Sequence, residues 1–523
     1  MIGFLPLFIF ISYYPLLTSG SSVDPDAQII IPNLEAGNYF LNLFNLKTID
    51  FQPVRDLTLR LDMWIFNTFD FRTIIIQNFL WWLGCCLMIY LILKELHQKT
   101  KTSWPLVLSV FFGVYPLFVP VVGWGMSRKH LLSFFFILIA TFEILRVKDL
   151  NLKASLKIAT FFLLSVLSQP ITILWSVWAL IFLGKRFPRF TLFKFLAPSF
   201  AVTALITIVN YIYYEYSEVF KHHFESKTSE ALNIPDKLLA LGHYFFQLFF
   251  PYQLSFKYEL GDYQVLIGLI PLAIILFLCY KIRSFRALAL GWLSLGFLTL
   301  VVILNTPNVL SDSYLLVPAF TLLVVVSNYL PNKTLPIFVP IIIALSLYSH
   351  IESKNWLNPI LLTEVSFDRR PNCRNALNYS RMNYEEFKKG PPAANEYILR
   401  HECLKNQAGT QYSSATNINF LGYMFFHEDE IPLDIRINTL EQFSRTSLIA
   451  EMTLAGLFIK MGDNERARET INEIIIKAKK IEISGKEFHT ITAYVVQPYC
   501  EKEKWQECLE ITSKFSRKMK TIY

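Results

Sequence analysis

The sequence predicts an all-α, polytopic membrane protein: about eleven transmembrane helices followed by a polar helical C-terminal domain. Three observations predict it. The chain has 523 residues at a mean hydropathy of +0.38. Its apolar runs of helix-spanning length are too many and too closely spaced for a soluble core. The short connections between those runs alternate in charge, every second one rich in Lys and Arg.

The spans are placed at 2–18, 73–93, 104–122, 130–146, 155–168, 170–184, 192–213, 263–280, 286–304, 312–330 and 335–349. Ser168-Gln169-Pro170 either separates two short spans or kinks a long one, because proline removes a backbone donor. Charge decides between these. Lys94, Lys99 and Lys101, Arg146, Lys148, Lys153 and Lys157, Lys185, Arg186, Arg189 and Lys194, Lys281, Arg283 and Arg286, and Lys333 then all fall on the cytoplasmic side. The short outer connections hold only Arg128 and Lys129. Merging the pair would carry the later basic clusters outside, so two spans are preferred, with an inner N-terminus and an outer C-terminus. The formal charge of +8 is therefore mostly a topology signal, not a nucleic-acid footprint. Segment 1–20 lacks the basic stretch of a secretory signal and is expected to be a true first span.

The transmembrane domain is placed at 1–350, with long outer loops at 21–72 and 214–262, and the helical domain at 351–523. Loops this long between membrane helices usually carry function. In the first, Leu57, Leu59, Leu61, Trp64 and Ile65 interleave with Asp56, Arg60 and Asp62, the pattern of a segment lying along the membrane interface. The same loop opens with Asp24-Pro25-Asp26. Paired carboxylates there can accept a hydroxyl proton or hold a divalent cation beside a phosphate. Two acids beside a proline are also an ordinary turn or helix cap. His222, His223 and Glu225 read as a solvated loop, since adjacent histidines seldom face one ion.

In the tail, the run from Leu454 to Ala467 has an apolar helix face, a Gly462-Asp463 turn and a small Ala467, as a tetratricopeptide hairpin requires. A generic helical hairpin is the plainer reading. Cys85, Cys86 and Cys279 fall in spans, whereas Cys373, Cys403, Cys500 and Cys508 form an even set suited to two disulfides in an oxidising compartment. Local pairs, Cys373 with Cys403 and Cys500 with Cys508, are preferred among three connectivities. Four buried free thiols are the alternative.

At Phe51-Gln52-Pro53-Val54-Arg55-Asp56-Leu57-Thr58-Leu59-Arg60-Leu61 the chain resembles the multi-spanning C-type glycosyltransferases (GT-C), in particular the transmembrane tetratricopeptide O-mannosyltransferases and their bacterial relatives. Further similar segments follow in the family's order. They are Trp124 to Leu132, Leu241-Gly242-His243-Tyr244, Phe250 to Tyr258, and Asp312-Ser313-Tyr314-Leu315-Leu316-Val317-Pro318. Two positions depart from the family. Tyr115 to Pro120 stands where a His-Pro-x-His-x-Glu run is usual, and Asp312-Ser313 replaces Glu-Arg.

The resemblance implies a sugar donor carried on a polyprenyl phosphate and a protein or peptide acceptor. Asp24, with Asp26 as partner or second choice, is expected to take the acceptor proton. Arg55, Arg60, Arg128 and Lys129 are expected to bind the donor phosphate. Trp64, Trp124, Tyr252 and Tyr258 are expected to wall the pocket against water, near Asp312. No cofactor is certain from the sequence, and a divalent metal is possible. Tetratricopeptide hairpins stack into a concave surface suited to peptides, which favours transfer to Ser/Thr hydroxyls. Transfer to a lipid-linked glycan or envelope polymer is the second reading, and a noncatalytic membrane scaffold the third. A bacterial inner membrane is favoured over the endoplasmic reticulum.

Overall fold

The computed structural model of the protein describes residues 5–18, 52–66, 71–97, 103–184, 187–216, 242–244, 246–251, 254, 312–327, 330–331, 334–373 and 448–478, with isolated positions between 375 and 441. Among these residues every regular element is helical. The chain divides into two units, Met1–Arg370 and Pro371–Tyr523.

The first unit contains α1 (Leu5–Thr18), α2 (Pro53–Phe66), α3 (Phe71–Leu96), α4 (Trp104–Gly113), α5 (Val119–Gly123), α6 (Arg128–Arg146), α7 (Leu152–Ser168), α8 (Trp175–Leu183), α9 (Arg189–Tyr216), α10 (Leu316–Ser327), α11 (Leu335–Asn355) and α12 (Pro359–Arg369). Three of these, α3, α9 and α11, are long and apolar enough to cross a membrane. At 26 residues, α3 reaches about 39 Å, longer than a hydrocarbon core of about 30 Å. A fourth crossing forms if α4 and the Pro116–Gly123 segment, bent by 50°, are one broken span. The bend has a local cause. Tyr115 is extended, and Pro116 and Pro120 offer no backbone donor to continue the helix.

A second break falls at Gln169, which is extended at φ −156° before Pro170 opens a 3-10 turn over Pro170–Leu174. Asn151 caps the other end of α7, its side chain accepting from Ala154 N at 2.9 Å.

Serine hydroxyls join the helices. Ser353 donates to Ser12 O at 2.8 Å, Ser346 to Phe8 O at 3.0 Å, and Ser12 Oγ lies 3.0 Å from Ser346 Oγ, all between α1 and α11. Ser109 of α4 donates to Cys86 O of α3 at 2.6 Å, Ser165 of α7 to Ser133 O of α6 at 2.8 Å, and Ser155 of α7 to Phe195 O of α9. A small polar side chain lets two helices approach closely and gives its hydroxyl a partner where no water is at hand. Gly113 extends the same logic. A Cβ there would lie 2.5 Å from Ile9 Cδ1 and 3.1 Å from Cys86 Sγ, so glycine permits α1, α3 and α4 to meet.

The sequence places the domain boundary at 350. In the structure α11 runs on to Asn355, and α12 stays in the first unit, where Arg369 of α12 ion-pairs with Glu352 of α11 at 2.8 Å.

In the second unit, α13 (Leu448–Met461) and α14 (Asn464–Ala478) form a helical hairpin. Gly462 adopts φ +78°, and the amides of Gly462 and Asp463 bond back to Ile459 O and Phe458 O. That left-handed residue closes the first helix, a conformation in which any Cβ is strained. Leu454, Ala455, Leu457, Phe458, Ala467, Ile471 and Ile474 are buried in the hairpin. Cys373 of this unit is disulfide-bonded.

Candidate functional site

The site is built on α2. Every third or fourth residue of this helix, Val54, Arg55, Leu59 and Asp62, faces inward, where α2 packs on α3, α6 and α7. The opposite face carries Leu57, Leu61, Trp64 and Ile65, and Trp64 is 80 % exposed. Polarity is thus inverted relative to a helix on a water-soluble core, which puts its charges outward.

Arg128, at the start of α6, is the centre of the inner face. Its guanidinium is fully buried and ion-pairs through Nη1 with Asp62 Oδ2. Nε donates to Asn78 Oδ1 at 3.0 Å and Nη2 to Ile74 O at 3.1 Å. The Asn78 amide nitrogen in turn lies 3.2–3.3 Å from the carbonyls of Val122, Trp124 and Gly125, holding the turn between α5 and α6. Burial pushes the Asp62 carboxyl up and the Arg128 guanidinium down, and their mutual attraction opposes both.

Arg55 is likewise interior. Nε donates to Asp56 Oδ1 and Nη1 to Gln52 Oε1, each at 2.8 Å. The chain of bonds continues from Gln52 Nε2 to Gln169 Oε1 at 3.0 Å, at the α7 break. Beside Gln169 lie the hydroxyls of Ser165 and Thr172, 2.8 Å apart, with Ser133 at 3.2 Å from Ser165.

Two further contacts tie distant segments to this region. The His130 ring of α6 meets the Tyr314 ring edge-on, centroids 5.3 Å apart, and the Tyr115 hydroxyl donates to Leu248 O at 2.7 Å. His243 is buried near Arg370, and burial and then that cation hold its imidazole down at about 3. It is therefore neutral at physiological pH and supplies no charge to an anion.

These positions revise the expected roles. Arg128 and Arg55 are buried and committed to protein acceptors, so in this arrangement they brace α2 instead of facing a lipid-borne phosphate. Arg60 and Lys129 are half-buried and retain partial access to solvent. Trp124 is half-buried in the turn that Asn78 holds, while Trp64 points away from the buried cluster and lines no pocket within it. Asp312 opens the 3-10 turn Asp312–Leu315 that carries Tyr314. Asp24, Asp26, Tyr252, Tyr258, Cys403, Cys500 and Cys508 lie outside the described residues, as does the partner of Cys373. Among the described residues no three His, Cys, Asp or Glu side chains come together to hold a metal ion.

Sequence reading missed three residues that the structure makes central. Asn78 had a usable signal, an amide within an apolar span. Asp62 was visible only as one acid of an amphipathic pattern, and Glu352 as a charge at the end of the last apolar run. None of the three signals names a partner.

Fold and site together define a protein whose described elements are all helical, with apolar helices long enough to cross a membrane and a buried ionic cluster beneath an amphipathic helix. Compared with known families, known proteins and solved structures, the chain matches none.

Proposed function

We propose that the chain is a multi-pass membrane glycosyltransferase of the GT-C type, moving a sugar from a polyprenyl-phosphate donor to a Ser/Thr hydroxyl of a protein acceptor. One observation supports this above others. Segments that carry the resemblance, far apart in the chain, converge: Asp62, one residue past the first and on the same helix, binds Arg128 of the second, and His130 of the second packs on Tyr314 of the last. A chance collection of loose motifs has no reason to assemble at one end of a bundle.

In this reading the exposed face of α2 rests in the outer interface, where the lipid tail of the donor lies alongside and its phosphate stays at headgroup depth. Asp24 takes the proton of the attacking hydroxyl, with Asp26 beside it. Arg60 and Lys129, the cations not fully buried, meet the charge that develops on the leaving phosphate oxygen. Arg128 and Arg55 hold α2 against α6 and α7 so that these groups keep their places. Helical hairpins such as α13–α14 belong to a tetratricopeptide-like acceptor-binding domain. A disulfide at Cys373 fits an oxidising compartment, as in the periplasmic face of a bacterial inner membrane.

A second reading, a noncatalytic membrane scaffold, draws support from the commitment of two of the four proposed phosphate cations to interior partners. Membranes supplied with radiolabelled polyprenyl-phosphate sugars separate the two. Asp24→Asn is expected to abolish incorporation at unchanged expression, with the wild-type label in the protein pellet. Unchanged incorporation removes Asp24 from the proton-accepting role. Label in the lipid fraction indicates a lipid-linked acceptor, and no wild-type incorporation from several donors favours the scaffold.

A further inference from the structure

One end of the first unit gathers positive charge. There α6 stops at Arg146, and α7 and α9 start at Leu152 and Arg189. Ser155 of α7 bonds to Phe195 O of α9, and Lys157 of α7 ion-pairs with Glu143 of α6 at 2.8 Å, so the three helix ends lie side by side. At a rise of about 1.5 Å per residue, Arg146, Lys153, Lys157, Arg189 and Lys194 then fall within roughly two helical turns of one level. These five and Lys148, in the connection between α6 and α7, are all exposed. From Arg128 to Phe200 the sequence sets only two acids against them, Glu143 and Asp149, and Glu143 is already engaged by Lys157.

Large apolar side chains lie exposed among these cations. Leu152 is 70 % and Phe190 73 % exposed, and Leu156 and Phe193 are half exposed. Lys194 lies over the Phe190 ring at 4.4 Å and Arg146 over Phe142 at 5.2 Å, contacts that orient two of the cations without neutralising them. A basic stretch that only fixes orientation in a membrane needs the charges but not the exposed leucines and phenylalanines. The mixture suits the boundary between headgroups and acyl chains. Depth is set by α9, whose stretch Arg189–Ile212 is long and apolar enough to cross a membrane, so its first turns meet the headgroups.

We infer that this surface binds anionic phospholipid, the cations meeting the headgroup phosphate while Leu152, Leu156, Phe190 and Phe193 pack on the acyl chains. A nucleic acid or an acidic protein complements the charge alone. Lipid complements both features, because α9 stays apolar and exposed at Leu205 and Ile208, deeper in the span. Under the expected topology the leaflet is the cytoplasmic one, whose surface is negative. The inference uses the membrane placement of the helices and not the sugar-transfer reading.

Electron spin resonance on the full-length protein in phosphatidylcholine bilayers tests it. Chain-labelled phosphatidylglycerol and chain-labelled phosphatidylcholine are compared by the fraction immobilised at the protein. Phosphatidylglycerol is expected to associate at least about fivefold more strongly at low salt, the effect of one cation near the membrane surface, and to lose most of that advantage in about 1 M NaCl. Lys153→Gln/Arg189→Gln/Lys194→Gln, which strands no buried partner, is expected to abolish the preference. The charge-keeping variant Lys153→Arg/Arg189→Lys/Lys194→Arg is expected to retain it. Equal association of the two lipids, a preference that survives the glutamine variant, or its loss in both variants overturns the assignment. Millimolar inorganic phosphate that displaces the labelled phosphatidylglycerol also overturns it, in favour of a soluble anion. No sugar enters the readout, so its failure and that of the transferase reading are separate results.

Discussion

At the scale of residues, the Asp62–Arg128 pair decides most. Arg128 is a planar fork whose donors meet Asp62, Asn78 and the Ile74 carbonyl, and lysine cannot reproduce that geometry. A buried ion pair contributes little over an apolar replacement, but removing one partner leaves the other charge stranded at a cost of about 3–5 kcal/mol. Asp62→Asn is therefore expected to lower the thermal midpoint in detergent sharply. The double variant Asp62→Asn/Arg128→Met should lose less than the two single changes summed, measured as a double-mutant cycle. Additive losses would mean that the two side chains do not act as a pair. Of this cluster, sequence reading singled out Arg128, because it breaks an otherwise basic-poor set of expected outer connections. It could not foresee that Arg128 is buried against Asp62 and Asn78.

At the scale of elements, the positions of helix ends were legible because they depend on local chemistry. Gln169-Pro170 breaks the chain where proline removes a donor, and Gly462-Asp463 closes α13 where a left-handed residue is needed. Gly462 has open space around its α-carbon, so the strain of φ +78° is what a side chain would meet. Gly462→Ala is expected to destabilise the α13–α14 hairpin by about 1 kcal/mol, and Gly462→Asn by less, because asparagine tolerates the left-handed region. Amide hydrogen exchange of α13 and α14 measures both. Equal protection in the alanine variant would show that the turn does not limit the hairpin. What the elements do to one another was less legible. Serine hydroxyls that donate to carbonyls of neighbouring helices, such as Ser109 to Cys86 and Ser165 to Ser133, look in sequence like scattered polar residues in apolar runs.

At the scale of the whole molecule, the inverted polarity of α2 carries the proposed membrane placement. Leu57, Leu61, Trp64 and Ile65 recur at helical spacing on the exposed face, an arrangement that water disfavours and an interface favours. In nanodiscs made with lipids brominated near the headgroup, the quenchable part of the tryptophan emission is expected to fall on Trp64→Phe. No change in quenching would take α2 off the bilayer surface. The sequence by itself determined the helical make-up, the apolar runs of spanning length, the breaks at proline and glycine, and the amphipathic stripe of α2. All of these follow from side-chain periodicity and backbone chemistry within a few neighbouring residues. Only the tertiary structure decided that Arg128 meets Asp62, 66 positions away, and Asn78, 50 away, and that Glu352 pairs with Arg369, 17 away. Partners of buried charge depend on which helices pack together, and no local pattern encodes that.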